Sequence, residues 1–264
     1  MLKSLQLFAM LLLLASCNSE SDSEAYEQKK SEETLMLDDL KKNPDSLLLR
    51  ETVIQYFRDK GDYTSALQYT REGIQRDSVN PRWFQIEGTL LYETEDTTGA
   101  IAAFENAVRI IPAPQLLYPL GIMYAQSGKK EALEIATALQ QSETPDPIQA
   151  NFIRGVYYAN TGDDIQALKF LNECLDANHT FMDAYREKAI IYFNNAQYKS
   201  SIDVLEKAVT LQNNFDVGYY WLGRNYEKLN QKEKAAEHYQ RALMYDPQYF
   251  EAKEALEQLQ PNTN

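Results

Sequence analysis

The side chains that most often perform chemistry in proteins are few in this sequence and lie far apart. It contains two histidines, His179 and His238, and two cysteines, Cys17 and Cys174. A hydrolase needs a nucleophile next to a base, or a metal ion held by several ligands. No GxSxG, HExxH, CxxC or phosphate-loop pattern occurs, so the sequence predicts no catalytic residue, no cofactor and no metal site. We expect Cys174 to be a packed, unreactive thiol and both histidines to be surface residues.

Cys17 is the residue whose surroundings indicate a covalent modification. The apolar stretch before it, Leu7–Ala15, has nine residues, far fewer than the ~20 that span a bilayer. With Lys3 ahead of it, this stretch is typical of a secretory signal. The run Leu14-Ala15-Ser16-Cys17 resembles the lipobox of bacterial lipoproteins. The resemblance implies that residues 1–16 are a signal peptide that is removed, and that Cys17 carries acyl chains that anchor the protein to a membrane. The alternative is an ordinary signal peptide with a cysteine near the cut by chance.

The segment after the lipobox, residues 17–33, is polar and rich in serine and glutamate, so we expect a flexible acidic tether. Asn18 stands where an aspartate would signal retention in the inner membrane. The cluster Glu20, Asp22 and Glu24 resembles the surface-export signal of Bacteroidetes lipoproteins. These resemblances imply the bacterial cell envelope, at the outer membrane, on its periplasmic face or on the cell surface.

Composition excludes several classes of protein. The chain has 264 residues, of which 44% are hydrophobic, enough for a sizeable core. Its net charge of -13 repels phosphate backbones, so nucleic acid is not an expected partner. Two cysteines allow one disulfide at most, which rules out a disulfide-stabilised scaffold.

The body of the chain has an internal period. Tyrosines recur every 34 residues, at Tyr124, Tyr158, Tyr192 and Tyr226. A period of this length indicates a solenoid of stacked helix pairs. The stretch YYWLGRNYEKLNQKEKAAEHYQRALMYDP closely resembles the tetratricopeptide repeat (TPR) consensus. The resemblance implies an all-α fold: a right-handed TPR superhelix of about six helix-turn-helix repeats plus a C-terminal capping helix.

In this register the chain divides into six repeats between two terminal segments. An N-terminal half-unit covers 34–46, and a capping helix with a tail covers 250–264. The repeats are expected at 47–80, 81–113, 114–147, 148–181, 182–215 and 216–249.

Small residues recur at fixed places in these repeats. One glycine set (Gly61, Gly128, Gly162) falls in the turn between the two helices, where a positive φ is needed. A second set falls in the first helix, where a neighbouring helix must approach closely: Gly88, Gly121, Gly155 and Gly223. A third set of small residues opens the second helix: Ala66, Ala100, Ala132, Ala167, Ser201 and Ala235.

The TPR resemblance also implies a binding groove made mainly by the first helix of each repeat. By family analogy, four positions of that helix contact protein or peptide ligands. In repeats three to six we expect a groove lined by Tyr118, Ile122, Phe152, Val156, Arg186, Ile190, Phe193, Tyr220 and Arg224. In repeats one and two the same positions are mostly polar: Glu51, Gln55, Arg58, Arg82, Gln85 and Tyr92. The alternative is that the aromatic side chains only pack against the adjacent helix.

Three functions compete on this basis. The leading hypothesis is a non-enzymatic, lipid-anchored scaffold or adaptor that binds a protein or peptide in its groove. The second is an accessory or pilot subunit of a secretion, pilus or polysaccharide-export complex. The third, an envelope enzyme with a site in the groove, is disfavoured by the scarcity of histidine and cysteine.

Overall fold

A computed structural model of the protein describes residues 31–259, which form fourteen α-helices and no strand. The signal peptide at 1–16, the proposed lipidation site Cys17 and nearly all of the 17–33 tether lie outside the described residues. The helices are α1 (Glu32–Lys42), α2 (Leu47–Asp59), α3 (Tyr63–Arg76), α4 (Pro81–Glu93), α5 (Thr97–Ile110), α6 (Pro114–Gln126), α7 (Glu131–Gln141), α8 (Pro147–Thr161), α9 (Asp164–Ala177), α10 (Met182–Asn194), α11 (Tyr198–Leu211), α12 (Asp216–Lys228), α13 (Lys232–Tyr245) and α14 (Phe250–Leu259).

Helices α2 to α13 form six successive pairs, and the closest packing in most of the chain is between the two helices of a pair. The first pair, α2 and α3, lies within the predicted repeat 47–80, and each later pair lies within or at the edge of its predicted repeat. Helix α1 packs against α2 at one end, and α14 packs against α13 at the other. The predicted all-α solenoid is confirmed.

The turn inside each pair has the same backbone geometry in all six repeats. Its central residue has a positive φ, as the glycine pattern predicted for Gly61, Gly128 and Gly162, whose φ values are 73°, 64° and 86°. The other three repeats reach the same conformation without glycine: Glu95, Ala196 and Asn230 have φ values of 63°, 56° and 57°. Because this conformation crowds a Cβ atom, it is uncommon for residues other than glycine. The glycine pattern therefore did not predict a positive φ in these three turns.

Aspartates start the second helix in three repeats. Asp62, Asp96 and Asp163 each accept a hydrogen bond from the backbone N–H three residues later. Such caps satisfy one of the orphan donors that every helix start leaves, and each stabilises its helix by about 1 kcal/mol.

Close contact inside three of the pairs depends on a glycine of the first helix. A Cβ atom built on Gly88 would lie 2.5 Å from the ring of Phe104, and one on Gly223 would lie 2.5 Å from the ring of Tyr239. On Gly155 it would lie 2.8 Å from Leu171. The predicted close approach of a neighbour at these positions is therefore confirmed.

The small residues that open the second helices are all fully buried, at 0% exposure. Ser201 is the only polar member of this set. Its hydroxyl donates to the carbonyl of Ala189 at 2.9 Å and accepts from the side-chain amide of Asn225, also at 2.9 Å. Asn225 is itself 0% exposed and also donates to the carbonyl of Trp221. This polar chain connects the fifth and sixth repeats through buried hydrogen bonds, which water cannot easily replace.

The strained turn generates a stability prediction. Ala196 is exposed, and its backbone has the left-handed conformation. An alanine in this conformation is more strained than a glycine would be, because its Cβ atom is crowded. We expect Ala196→Gly to stabilise the protein by about 0.5–1 kcal/mol, since the larger entropy of glycine in the unfolded chain offsets part of the relief. The measurement is the midpoint of urea unfolding followed by circular dichroism.

The matched control for Ala196→Gly is the same substitution at Ala102, which is exposed in the middle of α5. There the change is expected to destabilise by about 1 kcal/mol, because glycine is a poor helix former. A loss of stability for both variants would contradict the strain argument.

Candidate functional site

The residues that could do chemistry are placed where they cannot act together. Cys174 is 0% exposed, and its Sγ lies 3.4 Å from the carbonyl oxygen of Ile148. Burial raises the pKa of the Cys174 thiol to about 12. His179 is exposed in the loop between α9 and α10. Within residues 31–259, no group of three or more His, Cys, Asp or Glu side chains could hold a metal ion.

The expectation of a surface position is wrong for His238. Its ring stacks between Tyr226 and Tyr219, at centroid distances of 5.2 and 6.2 Å. Its Nδ1 is buried without a hydrogen-bond partner. Burial lowers the pKa of His238, so the neutral ring is favoured at neutral pH. The His238 side chain therefore contributes to packing through its two stacked tyrosine neighbours.

Two of the residues expected in the groove lie in the core. Phe152 and Val156 are 3% and 2% exposed. The Phe152 ring packs edge-on against Phe181, with centroids 5.0 Å apart. Helix α8 is packed closely by α6, α7 and α9, so its side chains at these positions have no access to a ligand.

Three more of the expected residues are half-buried and engaged. Tyr118 and Ile122 pack against the largest core cluster, and burial raises the pKa of the Tyr118 hydroxyl. Arg186 forms ion pairs with Asp183 at 2.8 Å and with Glu187 at 2.9 Å. Its charge is thereby compensated within α10 itself.

The remaining expected residues form an aromatic cluster near the C-terminal end. The Arg224 guanidinium lies over the rings of Phe193, Tyr220 and Trp221, at 5.6, 5.7 and 5.7 Å from their centres. Its Nη1 donates to the Tyr220 hydroxyl at 2.8 Å. Tyr220 is 8% exposed, and Ile190 of α10 is half-buried. Together with side chains of α14, Tyr220 and Arg224 line a small cavity of about 250 Å³.

A larger cavity lies where the sequence predicted only a polar surface. We call it the α2–α4 cavity; its volume is about 600 Å³. All of its lining comes from α1 and from the first helices of repeats one and two. The lining residues are Glu32, Met36, Leu48, Glu51, Thr52, Ile54, Gln55, Tyr56, Arg58, Asp59, Arg82, Gln85, Ile86, Thr89 and Leu90.

Two ion pairs span the cavity and join its two main walls. Arg82 of α4 donates through Nε to Glu51 of α2 at 2.7 Å and through Nη2 at 3.4 Å. Arg58 of α2 donates through Nε to Glu93 of α4 at 2.8 Å, and its Nη2 contacts the second oxygen of the same carboxylate. The hydrogen bonds to these carboxylates raise the pKa of both arginines. Both guanidinium groups are therefore held in place across the cavity.

The separation of neighbouring first helices explains where the solenoid is open. Helices α6 and α8 pack closely, and a Cβ atom on Gly121 would lie 2.6 Å from Ile153 of α8. Helices α2 and α4 make no comparable close contact, so space remains between them. The loop before α8 belongs to the third repeat, which is one residue short between Gly128 and Ala132. The structure thus closes the groove between α6 and α8 and leaves it open between α2 and α4.

The α2–α4 cavity combines an apolar floor with polar groups along its rim. Ile54 and Leu90 are buried beneath it, at 4% and 1% exposure. The Gln85 carboxamide lines the wall, and its oxygen accepts from Arg82 at 3.3 Å, which leaves the NH₂ group for a ligand. Such a mixture is typical of sites that bury apolar side chains and orient a chain by hydrogen bonds.

Sequence reasoning identified the polar character of these positions but not the cavity. The useful signal was present: Glu51 and Arg82 are 31 residues apart, and Arg58 and Glu93 are 35 apart, close to one repeat. Opposite charges at that spacing mark ion pairs between adjacent first helices.

Among residues 31–259, no helix has both the length and the apolar character needed to cross a bilayer.

Two segments of the chain match sequence profiles of the tetratricopeptide repeat, residues 183–215 and 217–249. Tetratricopeptide repeat protein 1 of Schizosaccharomyces pombe is 23% identical over 206 residues, which is 71% of this chain and 20% of that protein. The peroxisomal targeting signal receptor of Kluyveromyces lactis is 23% identical over 213 residues, 66% of this chain and 37% of the receptor. The chain therefore spans well under half the length of either relative.

Solved structures share the architecture at low sequence identity. A tetratricopeptide repeat protein from Parabacteroides merdae superposes with a TM-score of 0.74 at 18% identity, covering 86% of this chain and 91% of that one. PilW, a type IV pilus biogenesis factor, superposes with a TM-score of 0.59 at 17% identity, covering 79% and 97%. At such identities the likeness shows the fold, which is an all-α TPR solenoid.

The burial of Cys174 generates a prediction about its reactivity. In a Cys17→Ala variant, where Cys174 is the remaining thiol, alkylation by iodoacetamide at about pH 8 is expected to be at least about a hundredfold slower than in concentrated urea. The folded state disfavours the thiolate and blocks access of the reagent to Sγ.

The same burial makes the stability of the fold depend on pH. The pKa of Cys174 is about 12 in the folded protein and 9.0 when unperturbed, so the contribution of the neutral thiol to folding stability is complete below about pH 9 and declines as pH rises toward 12.

A control for accessibility is the exchange Cys174→Ala with Ile165→Cys, since Ile165 is 81% exposed on α9. That thiol should react at the same rate in the native and unfolded states. Fast alkylation of native Cys174, measured by mass spectrometry, would show that it is an accessible thiol after all.

Proposed function

We propose that the protein is a non-enzymatic scaffold of the bacterial cell envelope, anchored by lipid at Cys17, that holds a segment of a partner protein in the α2–α4 cavity. The observation that carries this proposal is the cavity itself: about 600 Å³ of open space between two first helices that ion pairs hold in place. Its volume falls within the range of ~300–1,000 Å³ that is usual for ligand sites.

The chemistry of the lining supports binding rather than catalysis. Both arginines of the lining are engaged with carboxylates: Arg82 with Glu51 and Arg58 with Glu93. The cavity lining contains no histidine, cysteine, serine or lysine. A peptide segment, in contrast, would find apolar surface for its side chains and a carboxamide for its main chain.

Anchoring would make a weak contact effective. If Cys17 is acylated, the solenoid is confined to one membrane, and the tether at 17–33 limits how far the cavity moves from it. Confinement raises the effective concentration of the cavity for partners at the same membrane, without any new contact. The lipobox resemblance supports this part of the proposal, with the outer membrane as the expected site.

The anchor is tested by the substitution Cys17→Ala. Because no acyl chain could then be attached, the protein is expected to move from the membrane fraction to the soluble fraction after detergent-free lysis. The measurement is immunoblotting of both fractions, with Cys174→Ala as the matched control that should remain in the membrane. A Cys17→Ala protein that still sediments with membranes would refute the lipid anchor.

The binding site is tested by photo-crosslinking in intact cells. A benzoylphenylalanine at position 85, in place of Gln85, is expected to yield a specific crosslinked protein, because this side chain lines the cavity. The same residue in place of the exposed Ile165 on α9 serves as the control and should not yield that product.

The identity of the crosslinked product separates the candidate functions. A soluble or wall-associated protein favours the scaffold, whereas a secretion channel or pilus component favours an accessory role in such a complex. The same product from both positions, or no product from position 85, would count against the cavity as the binding site.

A further inference from the structure

We infer that the α2–α4 cavity selects an extended peptide segment that carries an aliphatic side chain and, four or five residues away, a lysine or arginine. This inference rests on the proposed function, since it names the chemistry of the partner segment at the same site. It follows from the uneven distribution of apolar and acidic groups along the cavity.

One exposed face of α2 runs the length of the cavity. Leu48, Thr52, Gln55 and Asp59 lie on this face, and all four are exposed and line the cavity. The first and last are 11 residues apart, which corresponds to about 16 Å along an α-helix. An extended chain covers that distance in about five residues.

The end of the cavity near Leu48 carries an exposed aliphatic side chain. Leu48 is 75% exposed and lines the cavity, and the charge of the nearby Glu51 is compensated by Arg82. Met36 of α1 also lines the cavity, one helical turn from Glu32. An aliphatic side chain from a partner could cover Leu48 and remove its surface from water.

The opposite end is acidic. Helix α1 runs antiparallel to α2, since only residues 43–46 connect the end of α1 to the start of α2, while Tyr56 near the end of α2 donates to Glu33 near the start of α1 at 3.3 Å. Glu32 therefore lies at the same end of the cavity as Tyr56 and Asp59. The Lys60 ammonium lies 5.6 Å from the centre of the Tyr56 ring at this end.

The arginines of the lining do not neutralise this acidic end. Arg82 is compensated by Glu51, and Arg58 by Glu93. Asp59 accepts a hydrogen bond from the Gln55 carboxamide at 2.6 Å and forms no ion pair with another described residue. Glu32 lies in the exposed first turn of α1. Together with Glu33 at the Tyr56 hydroxyl, these two carboxylates outnumber the single ammonium of Lys60, so this end keeps a net negative charge, which favours a cationic side chain.

The test uses the full-length protein in detergent micelles and three fluorescein-labelled peptides. The first, SLLSTSKRS with blocked ends, has the aliphatic and basic residues at the inferred spacing. The second has glutamate in place of both basic residues, and the third has serine in place of both leucines. Fluorescence anisotropy measures each dissociation constant, and the first peptide is expected to bind about tenfold more tightly than either of the others.

Variants assign the preference to the two ends of the cavity. Changing both Glu32→Gln and Asp59→Asn is expected to weaken the first peptide about fivefold. The pair Glu134→Gln and Asp203→Asn makes the same change in net charge on exposed residues of α7 and α11, and should have no effect.

At the apolar end, Leu48→Ser is expected to weaken the first peptide about fivefold. Ile165→Ser is the matched control, since Ile165 is 81% exposed on α9. All three substituted positions in the cavity, Glu32, Leu48 and Asp59, are exposed, so the variants should fold.

Each other result overturns the inference. If the acidic peptide binds as tightly as the first peptide, the cavity has no preference for a cation. If the Glu134→Gln and Asp203→Asn control weakens the first peptide as much as the cavity variant does, the preference reflects only the net charge of the protein. Tighter binding of the acidic peptide that Leu48→Ser abolishes would refute the cationic partner but leave the cavity as a peptide site. If none of the peptides binds, the inference fails, and the crosslink from position 85 decides the proposed function separately.

Discussion

The structure depends on the close approach of the two helices within each repeat, and this approach requires that the residues at their contact be complementary in size. In three repeats the partners are 16 residues apart, and a glycine of the first helix faces a large side chain of the second. They are Gly88 with Phe104, Gly155 with Leu171, and Gly223 with Tyr239, and all six are buried. Because a packed interior tolerates neither a void nor an overlap, a large residue on one helix requires a small one opposite.

Once the pairs are rigid, the remaining freedom lies in how they stack, and stacking determines where a ligand can enter. In the third and fourth repeats Ile153 fills the space beside Gly121, so α6 and α8 are in close contact. In the first and second repeats ion pairs connect α2 and α4 at a distance instead. Long charged side chains can hold two helices apart as well as together, and the cavity is the space that results. The groove is therefore closed between α6 and α8 and open between α2 and α4.

The two ends of the solenoid have different tasks in this arrangement. Helix α14 covers the last pair with a charged outer surface, as the end of a repeat array requires. Helix α1 covers only part of α2, and its remaining side chains form a wall of the cavity. Since α1 directly follows the segment that begins at Cys17, the proposed partner site and the proposed anchor are neighbours along the chain.

The sequence by itself determined the repeat, the helix pairs, the turns at Gly61 and its equivalents, and the buried small residues, because all of these follow from local periodicity and from the size of single side chains. It also marked the polar character of Glu51 and Arg82. It could not tell that Phe152 and Val156 are buried, that His238 stacks between tyrosines, or that the cavity lies at the N-terminal end. Those features depend on the distance between first helices of successive repeats, which is set by contacts between residues about one repeat apart. Only the tertiary structure decided them, because the same helix position is exposed or buried according to how closely its neighbour stacks.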